Sequence, residues 1–219
     1  MVSARSSDTP DMPSAIVAAA MRLFAAQGVD ATSVQAVADA VGVTKQAVLH
    51  HYPSKEHLRK AVLDGILAHW NETLPRLLLA TAASEDRFDA VFGELHGFFA
   101  KDPDRARVVL REVLDRPAEM REILRGPVRP WLEAVAGYVR SGQSAGKHHT
   151  DVDPEAYVLH IMQLGIAAAA CASVTQAPLS DDAATRYDKE FSRIARASLF
   201  LHSPSTSAPR SRGSSTPRR

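Results

Sequence analysis

Apolar residues along the chain recur at helical spacing, in segments set off by capping residues, glycine and proline. Ile16, Ala20, Leu23, Phe24 and Gln27 share one helical face behind a start between Asp11 and Ser14, and Gly28 stops the run. Thr32 and Ser33 are good N-caps for a second helix with Val34, Val37, Ala38 and Val41 on its apolar side and Gly42 at its end. Thr44 caps a third, Lys45 to His51, which Pro53 prevents from continuing. Ser54 caps a long fourth helix over residues 54–74, buried along Leu58, Ala61, Val62, Ile66, His69 and Trp70, and Pro75 is expected to end or kink it.

Further starts are equally readable. Ser84 precedes a face of Phe88, Val91, Phe92, Leu95 and Phe99, and Asp102-Pro103 is an N-cap followed by proline at the first helical position. Arg116-Pro117 begins a short helix, and Gly126-Pro127 opens one bearing Trp131, Leu132, Val135 and Val139. After a polar loop from Ser141 to Thr150, Asp153-Pro154-Glu155 caps a long helix to about Val174. Ser180-Asp181-Asp182 begins the last, with Tyr187, Phe191, Ile194 and Leu199. The expectation is an all-α chain of about nine helices without strands. It comprises a helical head over residues 1–60 (1–12 a flexible arm), a larger helical body over 61–202 and a disordered tail over 203–219. The tail is almost entirely Ser, Pro, Thr and Arg and cannot bury enough surface to order itself.

Charge adds a local signal. The chain's net charge of +1 conceals +4 in the tail and +3 within residues 44–60, where Lys45, Lys55, Arg59 and Lys60 outweigh Glu56. A small basic motif on a near-neutral body fits a polyanion partner met at one place. A protein that coats DNA without specificity would be far more basic. The single cysteine, Cys171, excludes an internal disulfide framework and suits a reducing cytoplasm. The polar first thirteen residues do not read as a secretory signal. The most apolar stretch, Ile161 to Val174, reads as too short to span a bilayer.

Residues 33–52 read as helix, tight turn, helix. Val34, Val37, Ala38, Val43, Val48 and Tyr52 form a small shared core, leaving Lys45, Gln46 and Leu49 outward on a short helix. Such a helix fits the major groove of DNA, which is about 12 Å wide. The N–H groups near Thr44 are placed to meet a phosphate, and His51 and Lys55 to hold the DNA backbone.

About 45 contiguous residues from Ile16 resemble the N-terminal domain of the tetracycline-repressor (TetR/AcrR) family. The matching pieces are A-x-x-L-F-A-x-x-G ending at Gly28, T-S-V at Thr32, A-x-x-x-G-V-T-K ending at Lys45, and the H-H-Y-P-S-K-E that follows from His50. The resemblance implies a homodimer on a palindromic double-stranded DNA operator, with a body that binds a small molecule and releases the DNA. It places Thr44, Lys45, Gln46, Leu49 and His50 facing the groove, and Ser33, His51 and Lys55 at phosphate. Two positions depart from the family's habit: Gln46 stands where glycine is common, and Leu49 where tyrosine is. Leu49 has no hydroxyl to donate, so contact with a thymine methyl is its natural substitute.

In the body, Trp70, Phe92, Phe99 and Trp131 make an aromatic set on successive helices, with His96 as a polar anchor for an apolar or aromatic ligand. The small-residue run Gly165 to Ala172 lets two helices approach closely, and dimerisation is expected through residues 154–174 and 180–202. An intramolecular core is the other use for that run. His148, His149 and His160 are read as solvated or packed rather than metal-binding, and no cofactor is expected. The rival classes are a constitutive regulator without ligand and an all-α enzyme. The enzyme is disfavoured because the sequence has no Glu-x-x-His, no His-Glu-x-x-His and no phosphate-binding glycine loop.

Overall fold

A computed structural model describes residues 11–80 and 87–201. Among them are ten α-helices: α1 Met12–Gln27, α2 Val34–Val41, α3 Lys45–His51, α4 Lys55–Ala80, α5 Arg87–Ala100, α6 Pro103–Asp115, α7 Pro117–Arg125, α8 Arg129–Ser144, α9 Pro154–Thr175 and α10 Asp181–Ala197. Among the described residues the only β-type pairing is an isolated bridge between His148 and Phe200. Ser84 and the segment 203–219 lie outside the described residues.

Caps account for most boundaries. Asp11, Ser33, Thr44 and Asp153 each accept a hydrogen bond from the backbone N–H three residues on, satisfying donors that a helix start leaves unpaired. Ser54 does the same for His57 at the head of α4. Asp102 does not: its carboxylate pairs with Arg105 at 3.2 Å, so α6 starts on Pro103 without a side-chain cap. α4 runs on through Pro75 to Ala80, further than proline placement suggested. α8 takes in the first four residues of the expected polar loop, ending at Ser144.

One buried core runs from the head into the body. Ile16, Ala20 and Phe24 of α1 meet Val37, Ala38 and Val48, then Leu58 and Val62 of α4, and the cluster continues to Phe98, Phe99, Ala106 and Ala169. A second cluster joins Phe88, Phe92, Val139, Val158, Ala195 and Leu199. α6 lies between α1 on one side and α9 on the other.

α9 is long and apolar enough to cross a membrane by length and composition, with 22 residues and a mean hydropathy of 1.7 in its most apolar window. The stretch from Ile161 alone understated it, because the helix starts seven residues earlier at Pro154. Only 17% of that window is buried within this chain.

His148 is the plug of the second cluster. It is fully buried, donates from Nδ1 to the Val139 carbonyl at 3.0 Å and packs edge-on against Tyr138 and Phe200. Gly142 must be glycine here, since a Cβ would sit 2.0 Å from the His148 ring. Burial pushes the His148 imidazole below its ordinary value of 6.5. The folded chain therefore holds the neutral ring, while the unfolded chain takes up a proton as pH falls through 6.5. Stability contributed by this site is present above that value and lost progressively below it. Urea titrations at pH 7.5 and 5.5 should show a larger loss for the wild type than for His148→Gln. Equal losses would refute the assignment.

Candidate nucleic-acid interface

α2 and α3 meet across Gly42, whose φ of +80° and ψ of 31° place it in the left-handed region. Its N–H closes α2 on the carbonyls of Ala38 and Asp39, and glycine takes this conformation without a Cβ penalty. Val37, Ala38 and Val48 are buried beneath the turn, with Val34, Val43 and Tyr52 packed around them. The core expected from sequence is therefore assembled. It presents Lys45, Gln46 and His50 fully outward, with Leu49 half-buried beside them.

Ser33 and Thr44 spend an oxygen lone pair on capping, at 3.0 Å to Ala36 N and 3.1 Å to Ala47 N. Each hydroxyl proton remains available to donate to a phosphate. His51 is exposed, its ring edge-on to His50 at 5.4 Å. Lys55 reaches back to the α1–α2 turn, donating from Nζ to the Asp30 carbonyl at 3.0 Å. A carbonyl does not neutralise the ammonium, so its charge still faces outward.

The local charge is smaller than the sequence suggested. Arg59 is not part of an external basic cluster: it is 5% exposed and bonded to Glu56, Glu112 and Glu119. Burial alone would lower its pKa, but the hydrogen bonds it donates to Glu56 and Glu119 and the charge of Glu112 hold it above the usual arginine range. Lys60 pairs with Asp64 at 2.7 Å. Within this segment Lys45 and Lys55 are the basic side chains without a carboxylate partner among the described residues, and His50 and His51 lie exposed near them. Sequence spacing missed this because Glu112 and Glu119 lie more than fifty residues away on α6 and α7.

In the body, two apolar cavities share Leu95 and Trp131. One, of about 60 Å³, is lined by Trp70, Phe99 and Met162 among others. The second, of about 50 Å³, is lined by Phe88, Phe92, Tyr138 and Tyr157. Trp70, Phe99 and Trp131 are thus brought together, and Phe92 joins them through Trp131. His96 lines neither cavity. It stacks on Phe92 with Nε2 3.3 Å from the Asp188 carboxylate, and its two ring nitrogens are buried without a hydrogen-bond partner among the described residues. The Trp131 indole N–H is buried and has no hydrogen-bond partner among the described residues.

Comparison with known proteins agrees with this geometry. Residues 16–62 match bacterial regulatory proteins of the tetR family, and residues 108–187 match the tetracyclin repressor-like C-terminal domain. The HTH-type transcriptional regulator RutR of Escherichia coli K12 is 28% identical over 153 residues, 67% of this chain and 68% of RutR. The HTH-type transcriptional repressor KstR2 of Mycolicibacterium smegmatis is 31% identical over 108 residues, 47% of this chain and 51% of that protein. The solved structure of the ketosteroid transcriptional regulator KstR2 of Mycobacterium tuberculosis superposes with a TM-score of 0.74 at 16% identity, covering 89% of this chain and 97% of the other. Regulators of this family bind DNA operators as dimers and often bind small-molecule effectors. The chain belongs to the tetR family of bacterial regulatory proteins and is a DNA-binding transcriptional regulator.

Proposed function

We propose that this protein is a cytoplasmic repressor that reads a palindromic operator as a homodimer and lets go when a small apolar ligand enters its body. The outward surface of α3 carries the reading. Lys45, Gln46 and His50 stand on a helix above a closed core, and Lys45 and Gln46 have no partner among the described residues. Gln46 is suited to adenine, Lys45 to guanine and Leu49 to a thymine methyl. Ser33, Thr44, His51 and Lys55 supply the phosphate contacts that fix the register. Selection of bound sequences from a random DNA pool tests this, with two inverted half-sites expected. Recovery of sequences without a common motif would overturn it.

The proposed ligand is uncharged and largely apolar, with one hydrogen-bond acceptor. The two cavities have almost wholly apolar walls, and Trp131, which separates them, carries an unpaired indole donor. A charged ligand would be left without a counter-ion there. A ligand releases DNA only if it favours a conformer with misplaced heads, and α4 runs unbroken from Lys55 in the head to Trp70 at the cavity wall. In a screen of hydrophobic compounds that includes a ketosteroid, release of operator DNA is expected from at least one. Trp131→Phe should weaken a responding ketone about 5-fold or more through loss of the donor. Trp70→Ala should alter the response more than operator affinity.

A constitutive regulator is the second reading, favoured by cavity size. The two aromatic-lined cavities, of about 50 and 60 Å³, fall short of the ~300 Å³ typical of ligand sites, and the larger hollow of about 460 Å³ lies between α1 and α4, beside Tyr52, His69 and Arg105, rather than among Trp70, Phe92 and Trp131. Failure of every compound to shift operator binding or tryptophan fluorescence would decide for it.

A further inference from the structure

Around the α6–α7 corner, the body grips the head through charged groups. Arg111 donates from Nε to the Ala25 carbonyl and from a terminal nitrogen to the Ala26 carbonyl, both at 3.1 Å. These carbonyls belong to the last turn of α1, where acceptors are left unpaired and a cation is favoured. Arg116, at the junction of α6 and α7, reaches the Asp30 carboxylate at 2.7 Å and Glu112 at 3.5 Å. Glu112 is 1% exposed and binds Arg59 of α4, which also binds Glu119 of α7. Arg59 and Glu112 are buried, and burying such a pair costs free energy that apolar side chains of the same volume would not. A chain that needed only stability at this junction would be better served by leucine. A buried ionic cluster instead fixes one arrangement of the parts it joins, since slipped arrangements strand a charge.

Asp30 is the node nearest DNA. Its carboxylate holds Arg116 of the body, while its carbonyl holds Lys55. One residue of the α1–α2 turn therefore ties a DNA-facing lysine to the corner where α6 meets α7. We propose that Asp30 and Arg116 form a positioning clasp through which the α6–α7 corner sets the angle of the DNA-reading head, and hence the half-site spacing the dimer accepts. This rests on the reading above of a dimer on a palindrome. The clasp lies away from both cavities and does not touch the outward face of α3, so its effect should fall on spacing rather than on base preference.

The experiment compares wild type, Asp30→Asn, Arg116→Gln and the double variant. Each is titrated against the palindrome recovered from the random pool, the same palindrome with one base pair added or removed at its centre, and a single half-site. The ratio of affinities for native and altered spacing is the readout, because it cancels any general change in DNA attraction from the lost charge. Each single variant should lower that ratio about 3-fold, the scale of a partly exposed ion pair. The double variant should go no lower, since both changes break one clasp. Half-site affinity and thermal midpoint should stay close to wild type, as Asp30 is exposed. Three results would overturn the proposal: an unchanged ratio, a fall of palindrome and half-site affinity in step, or independent effects that add in the double variant. If the wild type itself shows no spacing preference, the dimer-on-palindrome reading fails first and the clasp falls with it.

Discussion

Lys45→Ala combined with Gln46→Ala is expected to reduce operator affinity by roughly 30-fold or more, each lost base contact contributing about 1–3 kcal/mol of discrimination. Both side chains are exposed and make no hydrogen bond or ion pair among the described residues. Their removal should leave stability within about 0.5 kcal/mol of wild type. Thr44 still caps the helix through its hydroxyl. The lost affinity is therefore separable from any folding defect. Affinity for unrelated DNA should fall far less, because only one charge is removed. Lys55→Ala should behave in the opposite way, weakening all sequences similarly and reducing the salt slope by about one. A mobility-shift titration in which the double variant bound the selected operator like wild type would mean that α3 is not the reading helix.

The head was legible in the sequence because its signals are local. Ser33, Thr44 and Ser54 announce their helix starts within three residues, and Gly42 marks a turn that only a left-handed residue completes cheaply. The body's helix boundaries followed from the same logic at Pro103, Pro117 and Pro154. What escaped was non-local. Arg59 looked like one more cation beside Lys55, yet its partners Glu112 and Glu119 come from other helices, and no spacing rule links them. His96 shares a face with Phe92 and Phe99, yet the structure sets its ring beside Asp188 and Phe191 of α10, outside the linings of both aromatic cavities, which no spacing rule on α5 could show. Leu199 falls in the segment 180–202 expected to dimerise, yet it is fully buried in the second cluster with Val139 and Val158. Pro75 failed as a stop signal because α4 continues past it, as proline weakens a helix without always ending it.

Leu164→Arg is expected to split the dimer or raise its dissociation constant by at least 100-fold, since a charge placed unpaired in a dry interface costs about 3 kcal/mol or more. Leu164, Ala167, Cys171 and Val174 are all exposed and repeat at intervals of three and four along α9, which puts them on one stripe. Leu164 and Val174 are 51% and 74% exposed, and Ile194 of α10 is 47% exposed. The opposite side of α9 is already used: Val158, Ala169 and Ala170 face the core, and Gly165 admits the Phe191 ring. Small residues at 167 and 171 would let a second copy's helix approach closely while Leu164 and Val174 close the ends. Ala168, half-buried against its own chain, is a poorer probe than its neighbour Ala167. Phe191 of α10 and Leu199 just beyond it pack inside their own body, while Ile194 is a large apolar residue of that helix left exposed. Sedimentation of wild type and Leu164→Arg at micromolar concentration reads the result, with circular dichroism to confirm that the variant keeps its helices. A wild type that sediments as a monomer, or a variant that remains a dimer, would place the interface elsewhere. With the heads uncoupled, palindrome affinity should fall towards that of a single half-site while half-site affinity stays put. Two heads on one rigid frame gain from effective concentration what a lone head cannot.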